Sequence, residues 1–185
     1  MLYRYLVKNP ACVFALIAIT LLSGCANYQL GDSAPLPFRT LYILPAANDS
    51  FAPLAVSTVS SEIREAFIRD GRVKLIAKEE NADAVLTIRL TEYERSAVTR
   101  DTDDTFRARD FNIRFSALLS LYNQASGDDF FRDRPITAST NAYVGNPYGG
   151  TETARFDYSQ AENLAMPRLA KDLARQAAST VLSNW

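Results

Sequence analysis

Histidine is absent from this 185-residue sequence, and cysteine occurs only at Cys12 and Cys25. Imidazole-based triads and dyads, His metal sites and multi-cysteine zinc sites are therefore excluded together. Carboxylates, serine or lysine could still support chemistry. However, Ser60 and Ser61 form no Ser-Lys motif, and no spacing predicts a pocket of paired acids for a hydrolase. Asp128, Asp129 and Asp133 lack the glycine and the twelfth-position glutamate of a calcium loop, and Asp101, Asp103 and Asp104 fare no better. No metal, cofactor or catalytic residue is expected. Three groups remain. Cys25 ends the run Leu22-Ser23-Gly24-Cys25. Arg100, Arg107 and Arg109 crowd one polar stretch, where guanidinium forks suit bidentate phosphate binding. The alternative there is a solvated loop of mixed sign, its acids cancelling the field. Tyr143, Tyr148, Phe156 and Tyr158 crowd a second stretch, as aromatics do where one protein docks on another. Their alternative is packing of a loop onto the following helix.

Cys25 is best understood from what precedes it. Arg4 and Lys8 give a positive start, and Ala11 to Leu22 is then apolar except for Thr20. As a helix that run spans about 18 Å, short of the ~30 Å hydrocarbon core of a bilayer. A secretory leader fits it better than a spanning helix. Cys12 lies within the run, so neither cysteine is expected in a structural bridge. Leu22-Ser23-Gly24-Cys25 resembles the lipobox of bacterial lipoproteins, with small residues at 23 and 24 to fit a peptidase cutting before Cys25. The resemblance implies a leader over 1–24 and acylation of Cys25, with palmitate-type chains worth ~0.8 kcal/mol per buried methylene. Ala26, where an aspartate would signal inner-membrane retention, implies outer-membrane delivery.

The elements that must position these groups follow from periodicity. Residues 25–39, with Gly31, Pro35 and Pro37, read as an acylated start and extended tether. Residues 40–185 read as one domain. Thr40 to Leu44 is a short buried strand stopped by Pro45. Asp49 or Ser50 can cap a helix whose residues Ala55, Val59, Ile63, Ala66 and Phe67 share one face. Glu65 and Arg69 have the spacing of a surface pair, and Gly71 supplies the stop. Val73 to Ala77 is a second short strand and Lys78 to Asp83 a polar turn. Leu86, Ile88 and Leu90 alternate with polar residues in a strand running to about Val98. Phe111, Ile113, Phe115, Ala117, Leu119 and Leu121 alternate again, so the two runs form a long antiparallel hairpin around the loop Thr99 to Thr105. Phe130 to Val144 is a further strand, placed at an edge or bulge by Pro135. Ser159 and Glu162 have capping-box spacing before a helix with the row Ala161, Ala165, Leu169, Leu173, Ala177 and Val181. Pro167 either kinks that helix or marks its first turn. This order predicts an α/β (α+β) two-layer sandwich, two helices packed on one face of a small mixed β-sheet. The first strand and the one after the first helix would pair in parallel through a crossover.

With Lys+Arg 20 against Asp+Glu 21, the formal charge of −1 excludes the basic footprint of a nucleic-acid binder. The lipobox, the first strand and the segment SSEIREAFIRDGRVKLIAKEENADAVLTIRLTEYE together resemble the LptE-type lipopolysaccharide-assembly lipoproteins. LYNQASGDDFFRDRPITASTNAYV resembles their second strand pair. The resemblance implies a lipid-anchored outer-membrane protein whose domain faces the periplasm or a barrel lumen. There it plugs and helps assemble a large β-barrel lipopolysaccharide translocon and assists lipopolysaccharide delivery to the outer leaflet. It implies no enzyme activity and no cofactor. The arginine trio would then meet lipid A phosphates, and the aromatic group the barrel wall. The competing reading is a lipid-anchored α/β adaptor of another envelope assembly or secretion system.

Overall fold

The computed structural model describes residues 35–52, 55–100, 108–144 and 157–183, the side chains of residues 100, 108 and 109 excepted. Cys25, Arg107, Tyr148 and Phe156 lie outside the described residues. The chain forms β1 (Thr40–Ile43), β2 (Ala47–Asn48), α1 (Ala55–Asp70), β3 (Lys74–Leu75), β4 (Ala84–Arg100), β5 (Ala108–Asn123), β6 (Asp129–Tyr143) and α2 (Tyr158–Leu182). The sheet has six strands in the order β3-β1-β4-β5-β6, with β2 beside β4. β1 pairs in parallel with β3 and β4, and β4-β5-β6 is an antiparallel meander. Both helices lie in one layer on one face, as the periodicity requires.

The core is apolar throughout, with no buried polar or charged residue among the described residues. Ala55, Val59, Ile63, Ala66 and Phe67 are the buried set of α1. From α2 the row Ala161, Ala165, Leu169, Leu173, Ala177 and Val181 is buried, joined by Ala170, Ala174, Ala178 and Leu182. Alanines along α2 let it approach α1 and the sheet closely, while Phe67 and Phe115 fill the space between layers. Gly71 follows α1 at φ 76, a left-handed position that favours glycine, and its N–H bonds Phe67 O at 3.1 Å. Next to it, Arg72 grips Asp70 at 2.7 Å and donates to Leu182 O at 3.0 Å, tying the end of α2 to the turn after α1. That guanidinium holds the Asp70 carboxyl below its ordinary range.

Several local expectations are corrected. Among the described residues neither Asp49 nor Ser50 makes a capping bond to α1. Ser50 instead donates its N–H to Asn48 Oδ1 at 3.0 Å in a side-chain-closed turn, and Ala55 N bonds Ala52 O at 3.1 Å. The second short strand is only Lys74–Leu75, because β1 offers it two residues of register. Ala47–Asn48, beyond Pro45, forms an additional strand that continues the line of β1 along β4. The capping box at Ser159 and Glu162 does not form: α2 already begins at Tyr158, with Asp157 at the cap position making no side-chain cap bond. Pro167 lies inside α2, so it is not the first turn.

Register shifts in both β4-β5 and β5-β6 shape the sheet. Leu90 faces Ala117, but Glu92 faces Ser116 and Tyr93 faces Phe115, so one extra residue is absorbed in β4. The inward set is Ala84, Leu86, Ile88 and Leu90 before the shift and Tyr93, Arg95 and Ala97 after it. β6 carries a similar irregularity where Leu119 faces Arg134 and Leu121 faces Phe131. Asp133 sits there at φ 50, a left-handed conformation that aspartate tolerates, and its N–H bonds Ser120 Oγ at 3.0 Å. Pro135 follows on β6, which is an edge strand as expected.

Candidate functional site

The far half of the β4-β5 hairpin runs beyond the first strands and ends where Arg100 faces Ala108. Arg100 closes β4, and Arg109 lies in β5 between Ala108 and Asp110, so the backbone brings these two positions to one hairpin end. Asp110 is engaged within that end: its Oδ1 accepts the Thr99 N–H at 2.8 Å and also the Thr99 hydroxyl.

The aromatic group divides. Tyr158, in the first turn of α2, stacks on Phe111 with ring centroids 6.1 Å apart. Phe111 belongs to the helix-covered face. Tyr143 follows the buried Ala142 on β6 and therefore points to the opposite, open face. Both rings are exposed, at 42% and 38% respectively, but they do not form one patch.

The open face of the sheet is polar and internally paired. Arg89 lies 3.7 Å from Asp49 and 3.4 Å from Asp133, Arg114 lies 3.6 Å from Glu94, and Arg132 contacts Asp129. Asp129 and Asp133, weighed above as calcium ligands, thus face arginines. No group of three or more His, Cys, Asp or Glu residues that could hold a metal occurs among the described residues.

A cluster that the sequence did not single out joins the hairpin to α2. The Tyr93 hydroxyl donates to Glu162 Oε1, and Arg95 Nη1 donates to Glu162 Oε2 at 3.1 Å. Tyr93 also meets the Phe115 ring edge-on, at 5.6 Å and 87°. Burial, then the hydrogen bond to the Glu162 carboxylate, pushes the Tyr93 phenol well above the ordinary tyrosine range. Glu162 also lines a groove of about 270 Å³ between the start of α1 and α2, with Phe51, Ala52, Asn163, Met166 and Pro167. The available signal was a helix-facing tyrosine and arginine two apart on β4, but the register shift at Leu90 hides that phase from a strict period-two reading.

No helix among the described residues is long and apolar enough to cross a membrane. Solved structures share the fold at low identity. A protein of Xanthomonas campestris is 11% identical, with a TM-score of 0.55, over 80% of this chain and 85% of that one. A hypothetical protein of Chlamydia trachomatis is 13% identical, with a TM-score of 0.50, over 79% of this chain and 99% of that one. Lipoprotein B of Nitrosomonas europaea is 19% identical, with a TM-score of 0.49, over 85% and 88%. Among curated proteins none matches the sequence. The family model described as LptE, lipopolysaccharide-assembly, matches residues 38–181, nearly the whole of the two-layer sandwich. The chain belongs to the LptE family of lipopolysaccharide-assembly proteins.

Proposed function

We propose that this protein is an outer-membrane lipoprotein, acylated at Cys25, that plugs and helps assemble a large β-barrel lipopolysaccharide translocon and assists lipopolysaccharide delivery to the outer leaflet. Family membership over residues 38–181 carries the reading. The lipobox at Leu22 to Cys25 supports the anchor. The open, polar sheet face and the projecting hairpin suit a polar barrel lumen better than an apolar interface. The protein acts by binding. Arg100 and Arg109, whose backbone positions lie at the hairpin end, together with Arg107, meet lipid A phosphates bidentately. Tyr143, Tyr148, Phe156 and Tyr158 are the aromatic candidates for contact with the barrel.

Three measurements test this reading. In detergent, the lipidated protein should co-purify with a large β-barrel in stoichiometric amount; a different assembly partner would favour the adaptor reading. In cells without that barrel, Cys25→Ser should no longer fractionate with outer membranes, and retention there would refute the anchor. Replacing Arg100, Arg107 and Arg109 together by Ala should weaken binding of purified lipopolysaccharide by at least tenfold; unchanged affinity would remove the hairpin end as the site.

A further inference from the structure

The sheet has two long edges, and they are finished differently. On β6 the outward carbonyls of Thr137 and Asn141 are taken by α2: Gln176 Nε2 donates to Thr137 O at 2.8 Å, and Arg168 Nη2 to Asn141 O at 3.4 Å. Pro135 and the irregularity at Asp133 add to that protection, the usual means of stopping strand addition. β4 differs. Its first half is covered by β1 and β2, with Leu44 N bonding Leu86 O at 3.0 Å and Asp49 N bonding Leu90 O at 2.8 Å. Asn48 faces Leu90, and beyond it β4 pairs only with β5 among the described residues. Backbone groups alternate sides along a strand, and the extra residue between Leu90 and Glu92 moves the outward set to Tyr93, Arg95 and Ala97.

We infer that this stretch of β4 is a docking edge for an extended peptide segment of a partner protein, added as a further antiparallel strand. Affinity would come from backbone hydrogen bonds at Tyr93, Arg95 and Ala97, and selectivity from alternate side chains. On the open face the new strand would lie beside Glu92 and beside Glu94, which already faces Arg114 at 3.6 Å, so a basic residue fits best opposite Glu92. On the other face its side chains would point toward the helix layer and the groove beside Glu162. Glu162 lines that groove and also holds Tyr93 and Arg95, so edge and groove adjoin. Phe51, at the groove's lip, is 97% exposed and would gain an apolar partner. The occupant is therefore a strand alternating basic and apolar residues. The inference does not depend on lipid anchoring or on glycolipid binding.

The test uses the full-length chain in detergent and the peptide acetyl-Lys-Val-Lys-Phe-Lys-Val-Lys-amide. A second copy of the peptide carries N-methyl groups on Val, Phe and Val, which removes the donors that would face β4. The parent peptide should bind and slow amide exchange at Tyr93, Arg95 and Ala97, and N-methylation should weaken binding by roughly tenfold or more. Ala97→Pro, which removes one outward N–H and leaves the β5 side intact, should weaken the parent peptide as well. Equal binding of both peptides, protection along β6 instead, or no binding of the parent peptide would each overturn the inference. Failure of lipopolysaccharide binding would leave it standing.

Discussion

Residues 84–90 and 91–100 belong to one strand and share β5 as a neighbour, yet they differ in what lies on their other edge and above them. In the first half Ala84, Leu86, Ile88 and Leu90 are fully buried beneath the helices, and β1 and β2 close the edge. In the second half the inward set is Tyr93, Arg95 and Ala97, and among the described residues no strand pairs with the outer edge and the first turns of α2 give the cover. Alternation alone does not make a core: the same period-two pattern is buried where the helix layer covers it fully and half-buried or exposed where that cover thins.

The sharpest way to break this contrast is a pair of truncations. Ile88→Ala should cost about 2–5 kcal/mol, the range for a buried aliphatic side chain in a close-packed core. Val98→Ala, at a position 54% exposed, should stay within ~0.5 kcal/mol. Urea unfolding midpoints measure both, and comparable losses would mean the far half is as structural as the near one.

Glu162→Ala removes the acceptor that joins the far half to α2. A loss of about 1–2 kcal/mol is expected, with faster amide exchange in residues 92–97 and little change in 84–90. The linkage has a pH signature. Because the Tyr93 phenol is held protonated by burial and Glu162, its contribution is complete below the unfolded tyrosine value of ~10 and declines as pH rises above it. Tyr93→Phe should flatten that alkaline decline. An unaltered pH profile would count against the link.

At the near end, Asp83 accepts the N–H groups of Arg39 and Thr40, each at 2.8 Å, and its own N–H bonds Thr40 Oγ1 at 2.9 Å. These hold its carboxyl below the ordinary range, so its contribution is present above ~3.9 and is lost as pH falls below it. The site is exposed, so Asp83→Asn should cost only about 1 kcal/mol or less at neutral pH and reduce acid sensitivity. The smallest effect belongs to the exposed pair Glu65 and Arg69, 3.7 Å apart: Glu65→Ala should cost ~0.3–0.5 kcal/mol, falling with added salt.

Much of the fold was legible because its signals are local. The α1 face from Ala55 to Phe67 and the α2 row from Ala161 to Val181 are buried as their spacing requires. Gly71, Pro135 and the pair Glu65 and Arg69 also lie where residue type put them. The misreadings share a cause. Ser159 with Glu162 has the right spacing for a capping box, but Tyr93 and Arg95, remote in sequence, compete for the same carboxylate. Ser50 and Asp49 are good caps by type, yet Asn48 recruits Ser50 into a turn and Arg89 faces Asp49. Of the site candidates, Tyr143 and Tyr158 are near in sequence but emerge on opposite faces, since a strand and a helix aim them independently.

By itself, the sequence determined the chemistry open to this protein and the order of its elements. With no histidine and cysteine only at Cys12 and Cys25, it left no imidazole or multi-cysteine chemistry, and it set Cys25 at the end of an apolar run. Only the tertiary structure decided that one edge of the sheet is guarded by Arg168 and Gln176 while another, among the described residues, has no strand beside Tyr93, Arg95 and Ala97. Edges, register shifts and carboxylate partners depend on which distant segments come to lie together, and that choice is made by packing the whole core rather than by any local run of residues.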